Sequence, residues 1–371
     1  MTASVAPTGP LDGDPEFERD LAEMVGVLLA AAEDTDRADA LPRSHFRALS
    51  ELGLYGMVVR RDDGGLGLAP SEIRRVLRRI GSGCGATAFA FAQHHGTTGA
   101  VAATDNLGLR NRWLPRLVGG SLAGIAYAHV RRPGPPVLRA EPDPSGGGGW
   151  ILDGEAPWVT SWGLAEVLGV AARSADGRLV WSLVPAEEGD GLSVAKRFEL
   201  SVLGATATVA LRFDRYRVGP DHLIDHTDFA AWADHDRHLA ARPNPLCLGI
   251  GDRAIALLAE VAPERAAELA PAWEDLGRRA EEQAAAVDRR QADEAVVAAA
   301  RAETVLATQQ LTAALLAAVG GGGMERGHPA QRLHREAGFY VVQAQNAAGR
   351  KALLDEVVTR FQTVNTGSTS S

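Results

Sequence analysis

Hydrophobic positions follow a helical period along the first third of the chain. The segments EFERDLAEMVGVLLAAAEDTD and PRSHFRALSELGLYGMV place apolar residues three and four positions apart, which is typical of amphipathic helices. Pro42 can open the second helix and Gly53 can close it. SEIRRVLRRIGSG, ATAFAFAQHHGTTGAVAA and GLRNRWLPRLVGG predict three more helices. Residues 1–122 are therefore expected to form a helical domain, which begins with a flexible tail in MTASVAPTGPLD.

Between residues 123 and 228 the pattern changes to short runs that are rich in β-branched and aromatic residues. GWILDGEAPWVTSW, LSVAKRFEL and TATVALRFDRYRV are runs of this kind and predict strands. Asp-Gly pairs at 153–154 and 176–177 predict hairpin turns. The glycine-rich DPSGGGGW lacks the helix and the Lys-Ser/Thr of a phosphate loop. We expect a β-barrel domain over residues 123–228.

From residue 229 onward the helical pattern returns. PLCLGIGDRAIALLAEVA has the small residues of a closely packed helix. The run from Arg278 to Val319 contains neither Gly nor Pro. As one helix it would be about 60 Å long, so a break is expected within VDRRQADE. AQRLHREAGFYVVQAQNAAGRKALLDEVV predicts a last helix, followed by a polar tail. Residues 229–371 are expected to form a four-helix bundle, which makes the chain mainly α with a central β domain.

Composition narrows the class of protein. The chain has 371 residues, a length that favours two or three packed units. Its net charge of −9 disfavours a nucleic-acid partner, whose phosphates require a basic face. The N-terminus has no basic segment of the kind that begins a signal peptide, and no window approaches the apolar length of a membrane span. These observations predict a soluble, cytoplasmic protein.

The two cysteines and the scattered histidines do not predict a metal site or a disulfide framework. Cys84 and Cys247 lie in apolar or small-residue contexts and are expected to be buried thiols. Candidate ligands that share one loop have no ordered spacing; these are His222, Asp225, His226 and Asp228. We therefore predict no bound metal.

Four segments, in this order along the chain, resemble the acyl-CoA dehydrogenase family. They are LSELGLYGMVVRRDDGGLGL, NRWLPRLVGGSLAGIAYA, GWILDGEAPWVTSW and GGGGMERGHPAQRLHREAGFY. The resemblance implies an acyl-CoA dehydrogenase-like fold with an α-helical N-domain, a β middle domain and a four-helix C-domain. It also implies FAD as cofactor, an acyl thioester carried by CoA or a carrier protein as substrate, and an oligomer of this chain or with a related subunit.

Two tryptophans stand close together in a chain with 5% aromatic residues. Residues i and i+2 of a strand face the same way, so Trp158 and Thr160 would present an indole and a hydroxyl to one surface. An indole can cover an isoalloxazine ring, and a hydroxyl can bond flavin N5. The resemblance assigns that role to these two residues. The alternative is a Trp/Thr pair that packs a barrel face, and Trp162, where the family has a small residue, inherits no role.

IAYAHVRR resembles the family's second flavin-facing strand. Tyr127 fits the family pattern and, with His129, is a candidate cofactor-binding residue. Arg131 and Arg132 depart from the family's Thr-Glu-Pro and could meet a phosphate or carboxylate, or form a solvated pair. Gly320 and Gly321 keep backbone N–H groups that could hold the cofactor's phosphates. The family's Arg-x-x-Phe-Gly loop is missing, and Ala317 replaces its glutamine.

The family's usual catalytic base is missing as well. Removal of an α-proton, while hydride leaves the β-carbon for the flavin, needs a base, commonly a Glu on the last helix. Counting from GGGGM places Ala344 at that position. Some branches carry the base on the helix after the β domain, where Asp236 is the candidate, with Arg237 as a substrate contact and Asp234 and His238 nearby. An acidic first turn, favoured by the helix dipole, is the alternative.

The paired histidines in AQHHGTTG invite a second comparison. Flavin monooxygenases on this fold use a His from this region, and His94, a candidate substrate contact, or His95 could fill that role. A helix-buried His satisfied by hydrogen bonds is the alternative. The second His of those enzymes has no counterpart, because His334 falls a few turns too early.

Three functions remain open from the sequence. The first is an FAD-dependent oxidoreductase that carries out α,β-dehydrogenation of an acyl thioester with a non-standard base. The second is a flavin-dependent monooxygenase or N-oxygenase on the same fold. The third is a non-catalytic partner subunit of a hetero-oligomeric acyl-CoA dehydrogenase, which would have lost the base.

Overall fold

Twelve α-helices occupy most of the chain in this computed structural model, which describes residues 14–366, with side chains to residue 363. The predicted flexible N-terminal tail and part of the polar C-terminal tail lie outside the described residues. The helices, in chain order, are α1 (Pro15–Ala30), α2 (Ala32–Arg37), α3 (Arg43–Glu51), α4 (Pro70–Gly83), α5 (Gly85–Ala103), α6 (Leu107–Val118), α7 (Phe229–Ala241), α8 (Pro245–Val261), α9 (Pro263–Asp288), α10 (Glu294–Val319), α11 (Pro329–Phe339) and α12 (Ala347–Thr366).

Eight strands form one mixed sheet, with the order β6-β7-β3-β2-β4-β5-β8, and β1 pairs with β4 beside that path. The β1–β4 and β2–β4 pairs are parallel, whereas the remaining pairs are antiparallel. The strands are β1 (Ala123–Ala126), β2 (Leu138–Pro142), β3 (Trp150–Val159), β4 (Val167–Ser174), β5 (Arg178–Pro185), β6 (Leu192–Arg197), β7 (Val209–Val218) and β8 (Leu223–Asp228).

The chain divides into two compact units. One unit comprises the residues up to Val76 together with Gly83–Ala233, and the other comprises Leu77–Ser82 together with the residues from Asp234 onward. The helices α1–α3, α5 and α6 and the whole sheet belong to the first unit, and α8–α12 belong to the second. The predicted boundaries of a three-domain division, at residues 122 and 228, stay a prediction.

Local sequence signals place several helix ends where they were expected. Pro42 is the N-cap of α3, and Gly53, with φ +69°, follows its end. The predicted break in VDRRQADE is confirmed, since α9 ends at Asp288 and α10 begins at Glu294. The side chain of Asp293 caps α10 by accepting from the N–H groups of Ala295 and Val296.

The two Asp-Gly pairs behave differently. Gly177, with φ +83°, lies in the turn between β4 and β5, so the second predicted hairpin is confirmed. The first prediction is wrong, because Gly154 lies inside β3 at a register shift against β7. A Cβ on Gly154 would lie 2.0 Å from the Val137 carbonyl oxygen, so glycine here permits close strand approach rather than a turn.

In the second unit, α8 packs closely, as its small residues predicted. A Cβ on Gly249 would lie 2.2 Å from the Arg78 carbonyl oxygen. A Cβ on Gly251 would lie 2.2 Å from the Trp273 ring. Trp273 donates to Asp252 (2.8 Å), whose carboxylate also binds the Arg78 guanidinium (2.6 Å). These contacts fix how α8 and α9 pack in this unit.

One segment of the described chain, Glu294–Met324, is long and apolar enough to cross a membrane by length and composition. Its most apolar window has a mean hydropathy of 1.3 and is 28% buried. The expectation that no window would reach this level is therefore wrong. Because core helices of soluble proteins meet the same criterion, the observation is weak evidence for a membrane span.

Candidate functional site

Trp158 stands at an irregularity near the end of β3. The register between β3 and β7 shifts between Ala156 and Val159, and Trp158 adopts a left-handed φ of +63°. This conformation is unfavourable for a bulky residue and leaves the indole 47% exposed. Regular strand alternation therefore does not describe this segment: Trp158 is largely exposed, whereas Thr160, two residues on, is 4% exposed and lies beside it.

A second aromatic ring packs against one face of the exposed Trp158 indole. The rings of Trp158 and Phe198 stack with centroids 4.2 Å apart and 8° between their planes. The Lys196 ammonium lies 5.0 Å from the centroid of the Phe198 ring. Phe198 directly follows the edge strand β6, and its N–H bonds the Thr208 carbonyl at 3.1 Å. One face of the indole is thus covered by protein, which leaves the opposite face as its planar binding surface.

Hydroxyl groups lie directly beyond the indole in sequence. Thr160 Oγ1 is 3.4 Å from Thr208 Oγ1, which lies 3.0 Å from Thr206 Oγ1. Thr206 in turn donates to the Leu203 carbonyl at 2.7 Å. Ser161, at φ +68°, has a buried Oγ that finds no hydrogen-bond partner. A buried hydroxyl without a partner is costly, so its presence calls for an explanation, and a functional role is one of them.

These residues fit a flavin. The indole supplies a flat apolar surface, and the Thr160 and Ser161 hydroxyls supply groups that can donate or accept a hydrogen bond. Sequence reasoning did not find Ser161 or Phe198. Neither carries a local signal, because their relevance depends on the left-handed turn and on the pairing of β6 with β7.

Trp162, for which the family offers no functional counterpart, has a packing role. Its side chain is 8% exposed and belongs to the apolar core of the sheet. The two tryptophans of this segment therefore differ in role: Trp158 is exposed, whereas Trp162 is buried in the core.

Tyr127 and His129 sit at the end of β1. The Arg131 guanidinium donates to the Tyr127 hydroxyl (3.0 Å) and lies 4.6 Å from the centroid of its ring. His129 is 5% exposed and places Nε2 2.8 Å from the Ala171 carbonyl oxygen, so Nε2 carries the proton. Burial lowers the pKa of His129 to about 4, and its buried Nδ1 has no partner. His129 therefore offers a neutral ring with one unsatisfied acceptor.

The two adjacent histidines of α5 differ in their hydrogen bonding. His94 is fully buried, accepts from the Ala123 N–H at Nδ1 (3.0 Å), and lies 3.1 Å from the Tyr55 carbonyl through Nε2. Both ring nitrogens of His94 thus have hydrogen-bond partners within the protein, as expected of a core histidine. This geometry does not favour a role for His94 in substrate binding. His95 is 9% exposed, and neither of its ring nitrogens has a partner.

Both rings are held neutral. Burial lowers the pKa of His94 to about 4, and burial lowers the pKa of His95 far below its ordinary value. The ring of His95 meets Phe91 edge to face at 4.7 Å. His95, rather than His94, is thus the member of the pair with unused hydrogen-bonding capacity.

In the second unit, the chain turns between α11 and α12, so the single last helix predicted over AQRLHREAGFYVVQAQNAAGRKALLDEVV is wrong. Ala344 lies in this tight turn and has a left-handed φ of +51°. The buried Arg301 holds this turn by donating to the Gln343 carbonyl (2.6 Å) and to the Arg242 carbonyl (2.8 Å). Asn346 caps the next helix by accepting from the Gly349 N–H at 2.8 Å. The turn is well anchored, but its central side chain is a methyl group, which cannot act as a base.

Asp236 lies on α7 next to the residue that contacts this turn. Asn346 donates to the Arg237 carbonyl at 3.2 Å, which places that part of α7 beside the Ala344 turn. Asp236 is 8% exposed. The Arg237 side chain instead pairs with Asp234 and, at 3.2 Å, with Glu294, so its charge is already engaged. His238 Nδ1 lies 3.0 Å from the Asp234 carbonyl.

The glycine-rich segment forms a 3₁₀ helix, Gly320–Met324. Gly320 has φ +75°, and a Cβ on Gly320 or Gly321 would meet nothing within 4 Å. The Gly320 N–H already donates to the Leu316 carbonyl as the C-cap of α10. The predicted phosphate contacts of the two glycines stay a prediction.

Among residues 14–366 the structure contains no cluster of His, Cys, Asp and Glu that could hold a metal ion. His222, one of the residues weighed for that role, contacts the Leu183 carbonyl (3.1 Å) and the Arg112 guanidinium (3.2 Å). Cys84 and Cys247 are buried free thiols, and burial raises the pKa of Cys247 to about 11.

Comparison with known proteins agrees with this architecture. Residues 18–121 match the family model described as acyl-CoA dehydrogenase, N-terminal domain. The chain is similar to benzylmalonyl-CoA dehydrogenase of Aromatoleum aromaticum, at 27% identity over 55% of this chain and 54% of that protein. It is also similar to L-evernosamine nitrososynthase of a Micromonospora species, at 28% identity over 58% and 52%. The matches thus span about half the length of these curated relatives.

Solved structures extend the likeness over nearly the whole chain. A glutaryl-CoA dehydrogenase of Mycobacterium smegmatis in complex with FADH2 superposes with a TM-score of 0.79 at 16% identity, over 94% of this chain and 95% of that one. The FMN-bound dibenzothiophene monooxygenase of Paenibacillus sp. A11-2 superposes with a TM-score of 0.76 at 18% identity, over 93% and 98%. The chain has the fold of these acyl-CoA dehydrogenases, and its residues 18–121 match that family's N-terminal domain, as its sequence predicted.

Proposed function

We propose that this protein is a flavin-dependent oxidoreductase of the acyl-CoA dehydrogenase type, with FAD as cofactor and α,β-dehydrogenation of an acyl thioester as its reaction. The observation that carries the proposal is the exposed, strained Trp158 beside the buried hydroxyls of Thr160 and Ser161. Strain at a bulky residue persists where the surroundings require it, and such sites cluster at ligand positions. Fold neighbours solved with FADH2 and FMN support a flavin as that ligand.

Each of these residues has a distinct task toward the cofactor. The indole of Trp158 covers one face of the ring system, while Thr160 and Ser161 bond its polar edge. Tyr127 and His129 offer a hydroxyl and an imidazole acceptor at the end of β1. When bound, the flavin supplies hydride acceptance, a chemistry that no side chain provides.

The base must come from a residue other than Ala344. Three carboxylates are buried in the described part of the chain. Glu72, on α4, accepts from the Ala69 N–H (2.8 Å), and Glu336, on α11, pairs with Arg332 (2.9 Å). Asp236, the third, lies beside the Ala344 turn. We assign the removal of the substrate α-proton to its carboxylate.

A visible absorption spectrum of the purified protein, followed by FAD titration, tests the cofactor. A yellow protein with two flavin bands supports the proposal, and Trp158→Ala should then weaken FAD binding. Phe361→Ala, which removes an exposed aromatic of α12, is the control. A colourless protein that ignores added FAD would overturn the proposal for the isolated chain and favour a non-catalytic partner subunit.

The base is tested separately, by exchange of the substrate α-proton with deuterated solvent. Asp236→Asn should abolish exchange while retaining FAD. Asp234→Asn on the same helix, where the carboxylate is exposed and paired with Arg237, should retain exchange. Exchange that persists in Asp236→Asn removes this residue as the base.

His95 favours a second candidate function, a flavin-dependent monooxygenase or N-oxygenase. Two unpartnered ring nitrogens in a buried neutral imidazole can donate to and accept from a substrate or an oxygen-derived group. The similarity to a nitrososynthase and to a dibenzothiophene monooxygenase supports this alternative.

The two candidates differ in what they consume. An oxygenase supplied with reduced flavin incorporates labelled oxygen into its substrate and needs no acyl-CoA, and His95→Phe should remove that activity. Anaerobic bleaching of bound FAD by an acyl-CoA, without oxygen incorporation, would instead identify the dehydrogenase.

Assembly and location complete the proposal. The helix α10 is rich in apolar residues, and the most apolar window of its segment is only 28% buried, which suits packing against a second copy of the chain or a related subunit. We further propose a cytoplasmic protein without nucleic-acid or membrane partners. Size-exclusion chromatography with light scattering tests the assembly, and cell fractionation tests the location.

A further inference from the structure

A cleft in the first unit is lined by residues other than those assigned to the flavin. It has a volume of about 680 Å³ and is formed by α3, the turn that precedes β1 and the loop that precedes β4. This volume falls within the range of small-molecule sites, which is roughly 300–1,000 Å³. Phe46, Tyr55 and Leu122, all nearly buried, contribute an apolar part of the lining.

The polar part of the cleft is dominated by two arginines on successive turns of α3. The Arg43 guanidinium makes only a long contact, of 3.5 Å, to the Gly163 carbonyl. Arg47 approaches the exposed Glu51 at 4.0 Å, a weak surface pair. Both guanidinium groups thus keep most of their donors for a ligand.

The acidic residue of the cleft does not cancel this charge. Glu166 lines the cleft but forms an ion pair with Arg116, which neutralises it locally. The N-terminus of α3 has no side-chain cap, so its backbone N–H groups add positive potential beside Arg43.

The turn before β1 keeps the cleft open. Gly120 has φ +115°, and a Cβ there would lie 2.8 Å from Ser50 Oγ on α3. A side chain at position 120 would therefore fill the space between this turn and α3. Ser50 and Ser121 line the cleft as well and add hydroxyl donors.

We propose that this cleft binds a small amphiphilic anion, in which an oxyanion such as a phosphate is held by Arg43 and Arg47 and an apolar or aromatic part lies against Phe46, Tyr55 and Leu122. Paired guanidinium groups recognise phosphate and carboxylate with charge-assisted hydrogen bonds. The site is independent of the proposed flavin function, because it shares none of the residues assigned to the flavin.

Isothermal titration with phenyl phosphate tests the proposal, and phenol serves as the uncharged analogue. The wild-type protein should bind phenyl phosphate saturably and ignore phenol. The double variant Arg43→Gln/Arg47→Gln should lose about tenfold or more in affinity, since two charge-assisted bonds are removed. Arg265→Gln/Arg278→Gln, which removes the same charge from exposed positions in the other unit, should bind like the wild type.

Two results would overturn the site. One is no binding of phenyl phosphate by the wild-type protein, and the other is equal loss of affinity in both double variants. If the Arg43/Arg47 double variant does not fold, Arg47→Glu replaces it, because this side chain is 76% exposed and its exchange leaves the core intact. Unchanged affinity in Arg47→Glu would also refute the proposal.

Discussion

The rings of Trp158 and Phe198 lie nearly parallel, with centroids 4.2 Å apart. This contact links a residue held in a left-handed conformation to a residue that follows an edge strand. The side of Trp158 opposite Phe198 is consequently the side that can receive a planar ligand.

Removal of the Phe198 ring should weaken cofactor binding without abolishing it. Aromatic stacking contributes about 0.5–1.5 kcal/mol, so Phe198→Ala should raise the Kd for FAD about two- to tenfold. Fluorescence titration of FAD measures the change, with Phe361→Ala, an exposed aromatic of α12, as the matched control. An unchanged Kd in Phe198→Ala, together with a lost site in Trp158→Ala, would show that the indole acts unaided.

The neighbouring histidines of α5 should respond in opposite ways to replacement by Phe. His94→Phe loses bonds to the Ala123 N–H and the Tyr55 carbonyl and should cost about 2–4 kcal/mol. His95→Phe removes two buried nitrogens that have no partner, so stability should stay equal or rise. Urea unfolding of both variants measures this contrast, and a large loss in His95→Phe would reveal a partner for that ring.

Stability should depend on pH through His129, whose pKa falls from 6.5 to about 4 on burial. Between these values the unfolded state binds more protons than the folded state, so stability decreases as the pH falls and is intact above about pH 6.5. At pH 5 the loss is about 2 kcal/mol relative to pH 8.

The matched variant for this pH effect is His129→Gln, because a glutamine amide can still donate toward the Ala171 carbonyl but does not titrate. Urea unfolding at pH 8 and pH 5 should show the wild type losing about 2 kcal/mol more than this variant between the two conditions. Parallel losses in both proteins would contradict a buried neutral His129.

The close approach of α8 to the segment around Arg78 makes Gly249 sensitive. A Cβ would lie 2.2 Å from a backbone carbonyl oxygen, which cannot rotate away, so Gly249→Ala should cost about 1–3 kcal/mol or more. Gly338→Ala, on α11 with nothing within 4 Å, should be neutral or stabilising by about 0.5–1 kcal/mol. Thermal unfolding compares the two, and equal Tm values would show that α8 can move aside.

Much of the fold was predictable because helix formation leaves a periodic signal along the chain. Pro42, Gly53 and the break after Asp288 mark helix boundaries by local chemistry alone. Gly154 was mistaken for a turn residue, because an Asp-Gly pair has the same local appearance whether the glycine serves a hairpin or a close strand contact.

The candidate site was less predictable, because it depends on departures from regular structure. A register shift and a left-handed φ at Trp158 interrupt the strand before Thr160, and strand alternation cannot anticipate either of them. The difference between His94 and His95 depends on backbone groups of Tyr55 and Ala123, which are distant in sequence. Sequence could name the pair but could not choose between its members.

The hydrogen bonds that Arg301 makes around the Ala344 turn have a consequence for how this chain can change over evolutionary time. Arg301 holds the turn through main-chain carbonyl groups, which every amino acid possesses, whereas the left-handed φ of +51° restricts which side chains position 344 can carry. The hydrogen bonds that anchor the turn can therefore outlast an exchange at position 344, provided that the new residue tolerates a left-handed backbone.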